Sequence, residues 1–440
     1  MTGYIKNRIK KILPQGETSS HLIKTSFVYG FIAISLIVIK VLIARLYGQA
    51  ELGIFTYFFS LADITFLFTS FGFAEALAKI ISEDNKKTKL ALRAYFPFIS
   101  LSTAVFTVIA LITTNMLKLN PSISFFNWAF VIYIAVFTLF YTAYSLLRGF
   151  KKFVAASFYS LVSRLIFIAV IVFAFLSSLQ FYWVLIGMSV GVAAAAIFAL
   201  PAIKKNLVMN VHAHSEGHPL EHPLHLFLSK DFLYLAFSLF IAQVGFYSLR
   251  DTSEIIIGRL LGFDSLGFYS AHTSVVNVIR LIAYVFPVII MPMAVSNKYK
   301  LKEVTKKILA ILIPFSLVVL IACYFLVPIF YGEQYTNFLL PLFLVVSSAL
   351  LVLYSCYNSI FIGENKFSRF YFKIVSIDML LSLVTNVLLN VILIYKMGLI
   401  GAPIATMITI TLKIALNLFA INKLRKEQSN ENNQINGTIK

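Results

Sequence analysis

The sequence predicts an all-α polytopic membrane protein of about twelve transmembrane helices, in two six-helix lobes related by a pseudo-two-fold along the membrane normal. Three observations predict it. The first is composition: of 440 residues, 60% are hydrophobic and only 12% charged, with a mean hydropathy of +0.88, where a soluble domain has about 25% charged residues. The second is how lysine and arginine are shared between loops. The third is an internal repeat at one fixed offset.

Along the chain, the first 24 residues come before any apolar run. Ile5, Ile9, Ile12 and Leu13 alternate with Lys6, Arg8, Lys10 and Lys11. With no apolar stretch leading to a small-residue cleavage site, this is not a signal peptide. It predicts a short amphipathic helix on an anionic bilayer surface. Six apolar runs follow at 25–44, 54–73, 94–113, 125–147, 154–176 and 181–203, each close to the ~20 residues that span a bilayer. Residues 25–203 are therefore one lobe. The linker 204–231 is polar and holds His212, His214, His218, His222 and His225. Five imidazoles invite a metal, but no cysteine joins them and prolines break the spacing, so a solvated loop is expected and no metal site. Six more runs, at 232–257, 267–294, 308–330, 338–362, 370–394 and 399–421, make the second lobe, 232–423. The tail, 424–440, is polar and is expected to lack fixed structure.

Within the spans, Cys323 and Cys356 are expected to be buried thiols, and His272 a hydrogen-bonded helix residue. Pro97, Pro201, Pro287, Pro292, Pro314, Pro328, Pro341 and Pro403 fall within or beside spans and predict kinks. The pair in "VFPVIIMP", 285–292, is the best hinge candidate. The small residues of "GVAAAA", 191–196, predict close helix packing.

Orientation follows from charge. Of 37 lysines and arginines, 28 lie in the N-terminus, the tail and five alternate loops. The opposite loops hold only Arg45, Lys118, Arg259 and Lys396. The positive-inside rule then places both termini in the cytoplasm. It also accounts for the net charge of +19 without nucleic acid. The loops on the other side are short, so no extracytoplasmic catalytic domain is expected. No phosphate-loop, metalloprotease or dinucleotide motif appears in a believable context.

The repeat is clearest in "RLYGQAELGIF", from Arg45, and "RLLGFDSLGFY", from Arg259. "GFKKF" at 149–153 and "GENKF" at 363–367 stand 214 residues apart like the first pair, and so do "LIG" at 185–187 and 399–401. Three anchors at one ungapped offset divide the chain into halves of six spans each. An even number gives both halves the same sense in the membrane, making them parallel repeats of the kind that rock around a central site.

Longer stretches carry a resemblance. "RLYGQAELGIFTYFFSLADITFLFTSFGFAEAL", "LLRGFKKFVAASFYSLVSRLIFIAVIV" and "GRLLGFDSLGFYSAHTSVVNVIRLIAYVFPVIIMPMAVS" resemble the Wzx-type polysaccharide flippases of the multidrug/oligosaccharidyl-lipid/polysaccharide exporter superfamily. The likeness runs from about Ile23 to Lys423. It implies a two-lobed carrier, not an enzyme, that moves polyprenyl-diphosphate-linked oligosaccharide from the inner to the outer leaflet by alternating access, alongside polysaccharide assembly proteins. Two other functions fit less well. A drug/cation antiporter of the same superfamily would favour an acidic cavity. A membrane polymerase would need a large loop with paired carboxylates.

Ionisable residues inside the spans mark function, since each costs about 2.5–3.5 kcal/mol near mid-bilayer. Lys40, Arg164, Arg250, Arg280 and Lys413 are the cations expected to line a cavity and hold diphosphate oxygens. Arg45 and Arg259 sit at the outer mouth. Asp63, Asp251, Glu254 and Asp378 are candidates for a gate, or for coupling to H⁺ or Na⁺; no other cofactor is expected. Glu75 stands at a span end and carries less information. The 214 offset maps Lys40 onto Glu254 and Arg164 onto Asp378, opposite charges that suggest pairing between lobes. The alternative is neutralisation within a lobe, as for Arg250 and Glu254 at i, i+4.

Overall fold

The computed structural model describes residues 17–83, 88–116, 126–212, 230–295, 301–365 and 369–438, and among these it contains helices and no β-strand. In order they are α1 (Glu17–Leu46), α2 (Gln49–Ser70), α3 (Phe73–Glu83), α4 (Thr88–Met116), α5 (Phe126–Gly149), α6 (Phe153–Leu176), α7 (Tyr182–His212), α8 (Lys230–Leu260), α9 (Phe263–Val295), α10 (Leu301–Tyr331), α11 (Leu339–Asn365), α12 (Arg369–Met397) and α13 (Gly401–Thr438). Single 3-10 turns at Glu333–Tyr335 and Gly398–Ile400 precede α11 and α13. The helices cover the apolar runs of the sequence, because a backbone without water satisfies its polar groups only within a helix.

Among the described residues, nine helical stretches are long and apolar enough to cross a membrane, or up to ten if the bent pair Phe232–Gly245 and Leu249–Leu260 is one span. One of the nine, Ile377–Lys423, takes in parts of both α12 and α13. The chain is thus a multi-pass membrane protein.

One expectation is corrected, that of an unstructured tail. The span read at roughly 54–73 is the helix Gln49–Ser70, which ends at Phe71 and Gly72, whose φ angles are 43° and 73°. A Cβ on Gly72 would stand 2.1 Å from the Ala236 carbonyl oxygen, so the break is fixed by a backbone contact that only glycine permits. The polar tail is helical to Thr438. The apolar span has already nucleated that helix, and its Lys, Arg, Glu, Gln and Asn residues extend it without a proline. Residues 1–16 and four of the linker histidines, His214, His218, His222 and His225, lie outside the described residues. Helix α9 continues unbroken over 285–292.

The chain divides into two compact units, and the division does not fall at the linker. One unit is Met1–Leu42 with Thr65–Phe240; the other is Ile43–Ile64 with Ile241–Lys440. The end of α1 and most of α2 therefore group with the second half of the sequence, and the start of α8 with the first half.

In the first unit, α3 packs Phe73, Ala76, Leu77 and Ile81 against Tyr95 and Ile99 of α4, Leu146 and Leu147 of α5, and Phe232 and Ala236 of α8. The small-residue stripe behaves as expected: a Cβ on Gly191 would lie 2.4 Å from the Ser163 carbonyl oxygen, so α6 and α7 nearly touch.

In the second unit the two copies of the repeat meet. A Cβ on Gly53 would lie 1.8 Å from the Phe263 carbonyl oxygen, and one on Gly267 would lie 1.9 Å from that of Gln49. Helices α2 and α9 cross at their first turns, backbone on backbone. The other glycine of each copy, Gly48 or Gly262, takes a positive φ, 125° or 88°, in the turn just before. The repeat thus encodes the same turn twice, and its two copies meet in one crossing.

Candidate functional site

Past the glycine crossing, the polar residues of α2 follow one face. Thr56, Ser60 and Asp63 are spaced i, i+4, i+7, which places them on the same side of a helix of 3.6 residues per turn. All three are buried. Thr56 shares a hydrogen bond of 2.7 Å with Ser270 of α9, its own repeat mate 214 residues away. Ser60 donates to Glu254 of α8. Asp63 takes a hydrogen bond from the Arg250 guanidinium, also on α8.

Arg250 is held on a second side as well. Its Nε is 2.5 Å from Asp251 Oδ1 and its Nη2 is 3.0 Å from Asp251 Oδ2. The two-pronged contact uses the planar fork that distinguishes arginine from lysine. The Tyr247 ring lies 5.2 Å from the guanidinium carbon. The Asp251 side chain is 1% exposed, that of Asp63 11% and that of Arg250 30%. Arginine is thus the most exposed of these three side chains. One guanidinium stands among three carboxylates, Asp63, Asp251 and Glu254, inside an apolar segment. The local pair of Arg250 with Glu254 does not form: Arg250 is engaged by the two aspartates, and Glu254 accepts from Ser60.

A second cluster lies between α12 and α13. Lys413 Nζ is 3.2 Å from Asp378 Oδ2, with side chains 1% and 4% exposed. Tyr354 of α11 donates to the same oxygen at 2.9 Å, and its ring lies 4.5 Å from the ammonium. Asp378 is therefore neutralised within its own unit. Ser382, Asn386 and Asn390 follow Asp378 at steps of four, and Asn417 follows Lys413; all are buried. Asp378 Oδ1, Asn386 Nδ2, Asn390 Oδ1 and Asn417 Nδ2 find no hydrogen-bond partner among the described residues.

The remaining candidates are dispersed. Arg280 Nε is 3.3 Å from Ser348 Oγ of α11. Arg45 is exposed, but its Nε and Nη2 bond the carbonyls of Phe330 and Ile329 at 2.8 and 2.7 Å. It closes the C-terminal end of α10, whose last carbonyls have no partner within the helix. Arg259 is exposed in the last turn of α8. Beside this end, burial pushes the Tyr335 phenol up to about 12. Lys40 on α1 is buried and Arg164 on α6 half-buried; both belong to the first unit. His272 is hydrogen-bonded to the Phe268 carbonyl at 3.0 Å. The contributions of Thr56, Ser60, Ser270 and Tyr354 were not picked out from the sequence. For Thr56 and Ser270 the signal was available, since the repeat offset links them.

With this geometry in place, comparison with known proteins is informative. The profile of the polysaccharide biosynthesis protein family matches residues 22–296. The chain belongs to that family. An uncharacterized membrane protein of Methanocaldococcus jannaschii is 24% identical over 398 residues, covering 87% of this chain and 92% of its own. Among solved structures, the lipid II flippase MurJ in an inward closed conformation superposes with a TM-score of 0.67 at 18% identity, over 91% of this chain and 87% of MurJ. A eukaryotic MATE transporter gives 0.61 at 15% identity, over 93% and 99%. The chain shares its fold with the lipid II flippase and with the MATE transporter.

Proposed function

We propose that the protein is a carrier that moves polyprenyl-diphosphate-linked oligosaccharide from the inner to the outer leaflet of a bacterial-type plasma membrane, by alternating access and without covalent chemistry. Both termini face the cytoplasm, as the distribution of basic residues favours. The observation that carries the reading is the Arg250 cluster. A guanidinium fixed by two aspartates, partly open and set within apolar helices, is a preorganised partner for a diphosphate. Membership of a polysaccharide biosynthesis family and the fold shared with a lipid II flippase support the same substrate class.

The carboxylates around Arg250 suit a second task. Displacement of Asp63 or Asp251 from the guanidinium by a diphosphate would free a carboxylate to take up H⁺ or Na⁺, linking cargo to a coupling ion. The three acids beside Arg250 also favour a second reading, a drug/cation antiporter.

Proteoliposomes holding the purified protein and a fluorescent polyprenyl-diphosphate disaccharide separate the two. The carrier reading expects movement of the lipid between leaflets, lost in Arg250→Leu. Transport of ethidium with no movement of the lipid would refute it.

A further inference from the structure

Helix α5 has two opposed faces that are not buried. Trp128, Ile132 and Leu139 are 67%, 42% and 58% exposed, an apolar stripe suited to lipid. About 180° around the same helix, Phe137, Tyr141, Tyr144 and Arg148 form a second half-exposed stripe. This second face lies opposite the aliphatic stripe and is open within the first unit. Its residues are aromatic, hydroxylated and basic rather than aliphatic.

Neighbouring elements complete this face. Phe66 sets its ring edge-on at 4.7 Å to both Phe137 and Tyr141. Tyr29 of α1 shares a 2.7 Å hydrogen bond with Tyr144. Tyr141 donates to Glu75 Oε1, while Glu75 Oε2 has no hydrogen-bond partner among the described residues. Glu75 reaches this position because the chain breaks at Phe71–Gly72 and restarts as α3, with Glu75 in its first turn. Arg148 lies 5.5 Å from the Tyr144 ring.

We infer that this face of the first unit, built from Tyr29, Glu75, Phe137, Tyr141 and Tyr144, binds the saccharide portion of the cargo. The inference rests on the carrier reading above and names the part of the substrate this unit recognises. A carboxylate oxygen left without a donor calls for O–H or N–H groups on the ligand. Aromatic ring faces carry negative charge and receive the C–H face of a pyranose. A prenyl chain has no donors and would leave Glu75 and the phenols dry at a cost. Glu75 and Arg148 offset each other on this face, so it carries no excess charge to select either a diphosphate or an organic cation.

The test measures binding to the full-length protein in nanodiscs. The probes are farnesyl diphosphate, farnesyl diphosphates bearing N-acetylglucosamine, N-acetylgalactosamine or glucose, and tetraphenylphosphonium. The wild type is expected to bind at least one sugar-bearing probe more tightly than farnesyl diphosphate. Glu75→Gln and Tyr141→Phe each weaken that probe about tenfold, the usual worth of a hydrogen bond to a charged group, and leave farnesyl diphosphate within about twofold. Leu139→Ala, on the lipid face, changes neither, and melting temperatures show that each variant is folded. If all diphosphates bind the wild type equally, or the variants weaken farnesyl diphosphate as much as its sugar-bearing forms, the saccharide face is wrong and the carrier reading stands. If no diphosphate binds the wild type, or Glu75→Gln abolishes tetraphenylphosphonium binding instead, both are overturned.

Discussion

Lys413 and Asp378 offer the sharpest test of how the second unit holds its buried charge. The two side chains are 1% and 4% exposed and 3.2 Å apart, with Tyr354 donating to the carboxylate. Replacing Lys413 with Met removes the ammonium on Asp378 Oδ2 and the cation over the Tyr354 ring, and leaves a carboxylate whose Oδ1 lacks a hydrogen-bond partner among the described residues. Breaking one side of a buried pair costs about 3–5 kcal/mol, most of it from stranding the remaining charge. Asp378→Asn strands the lysine in the same way. The double variant, Lys413→Met with Asp378→Asn, strands neither. Asn keeps an oxygen for Tyr354, and Met meets the Met379 sulfur, now 3.8 Å from Lys413 Nζ. The double variant should therefore recover most of the loss. Thermal unfolding of the purified protein in detergent, run as a double-mutant cycle, measures this. A Lys413→Met protein as stable as the wild type would refute the reasoning, as would a double variant no more stable than the worse single.

Other tests address the crossing, the cluster and the cargo. Gly53→Ala and Gly267→Ala each place a Cβ under 2 Å from a carbonyl oxygen and should cost about 1–3 kcal/mol by overpacking, read as a lower melting temperature; Gly30→Ala, with nothing within 4 Å of its Cβ, should be silent. Arg250→Lys keeps the charge but not the two-pronged contact with Asp251. It should fall well below wild type in lipid-linked disaccharide movement while remaining folded. A cargo carrying two negative charges gains about 4.6 kcal/mol from an inside-negative potential of 100 mV, at about 2.3 kcal/mol per charge. Transport should therefore accelerate when a valinomycin potential of that sign is imposed, and indifference to it would count against an uncompensated anionic cargo.

What could be read from the sequence follows a physical boundary. Spans were legible because hydrophobicity over about 20 residues is a local property. The break at Phe71–Gly72 was not, because one glycine in an apolar run means little until Ala236 is known to lie against it. The ionisable residues were also legible, since a charge in an apolar run stands out, but their partners were not. Arg250 and Glu254 satisfy the i, i+4 rule, yet Arg250 prefers Asp63, 187 residues away, together with its neighbour Asp251. Pairing on a helix surface is worth tenths of a kcal/mol, and tertiary contacts easily exceed it. Glu75 was passed over for standing at a span end; the helix break is what turns it inward.

The repeat shows most clearly how local pattern and tertiary contact divide the work. From the sequence it is a ruler that cuts the chain into halves. In space its two copies touch, at Gly53 with Gly267 and at Thr56 with Ser270, and so residues 43–64 leave their own half and join the other. The glycines are needed because two helices meet there without side chains between them. The same close approach leaves the next turns of α2, through Ser60 and Asp63, within reach of Glu254 and Arg250. The repeated turn motif thus sets the position of the charges proposed to bind the cargo. Widening the crossing by a single methyl group should accordingly disturb the Arg250 cluster three turns along α2, as well as the crossing itself.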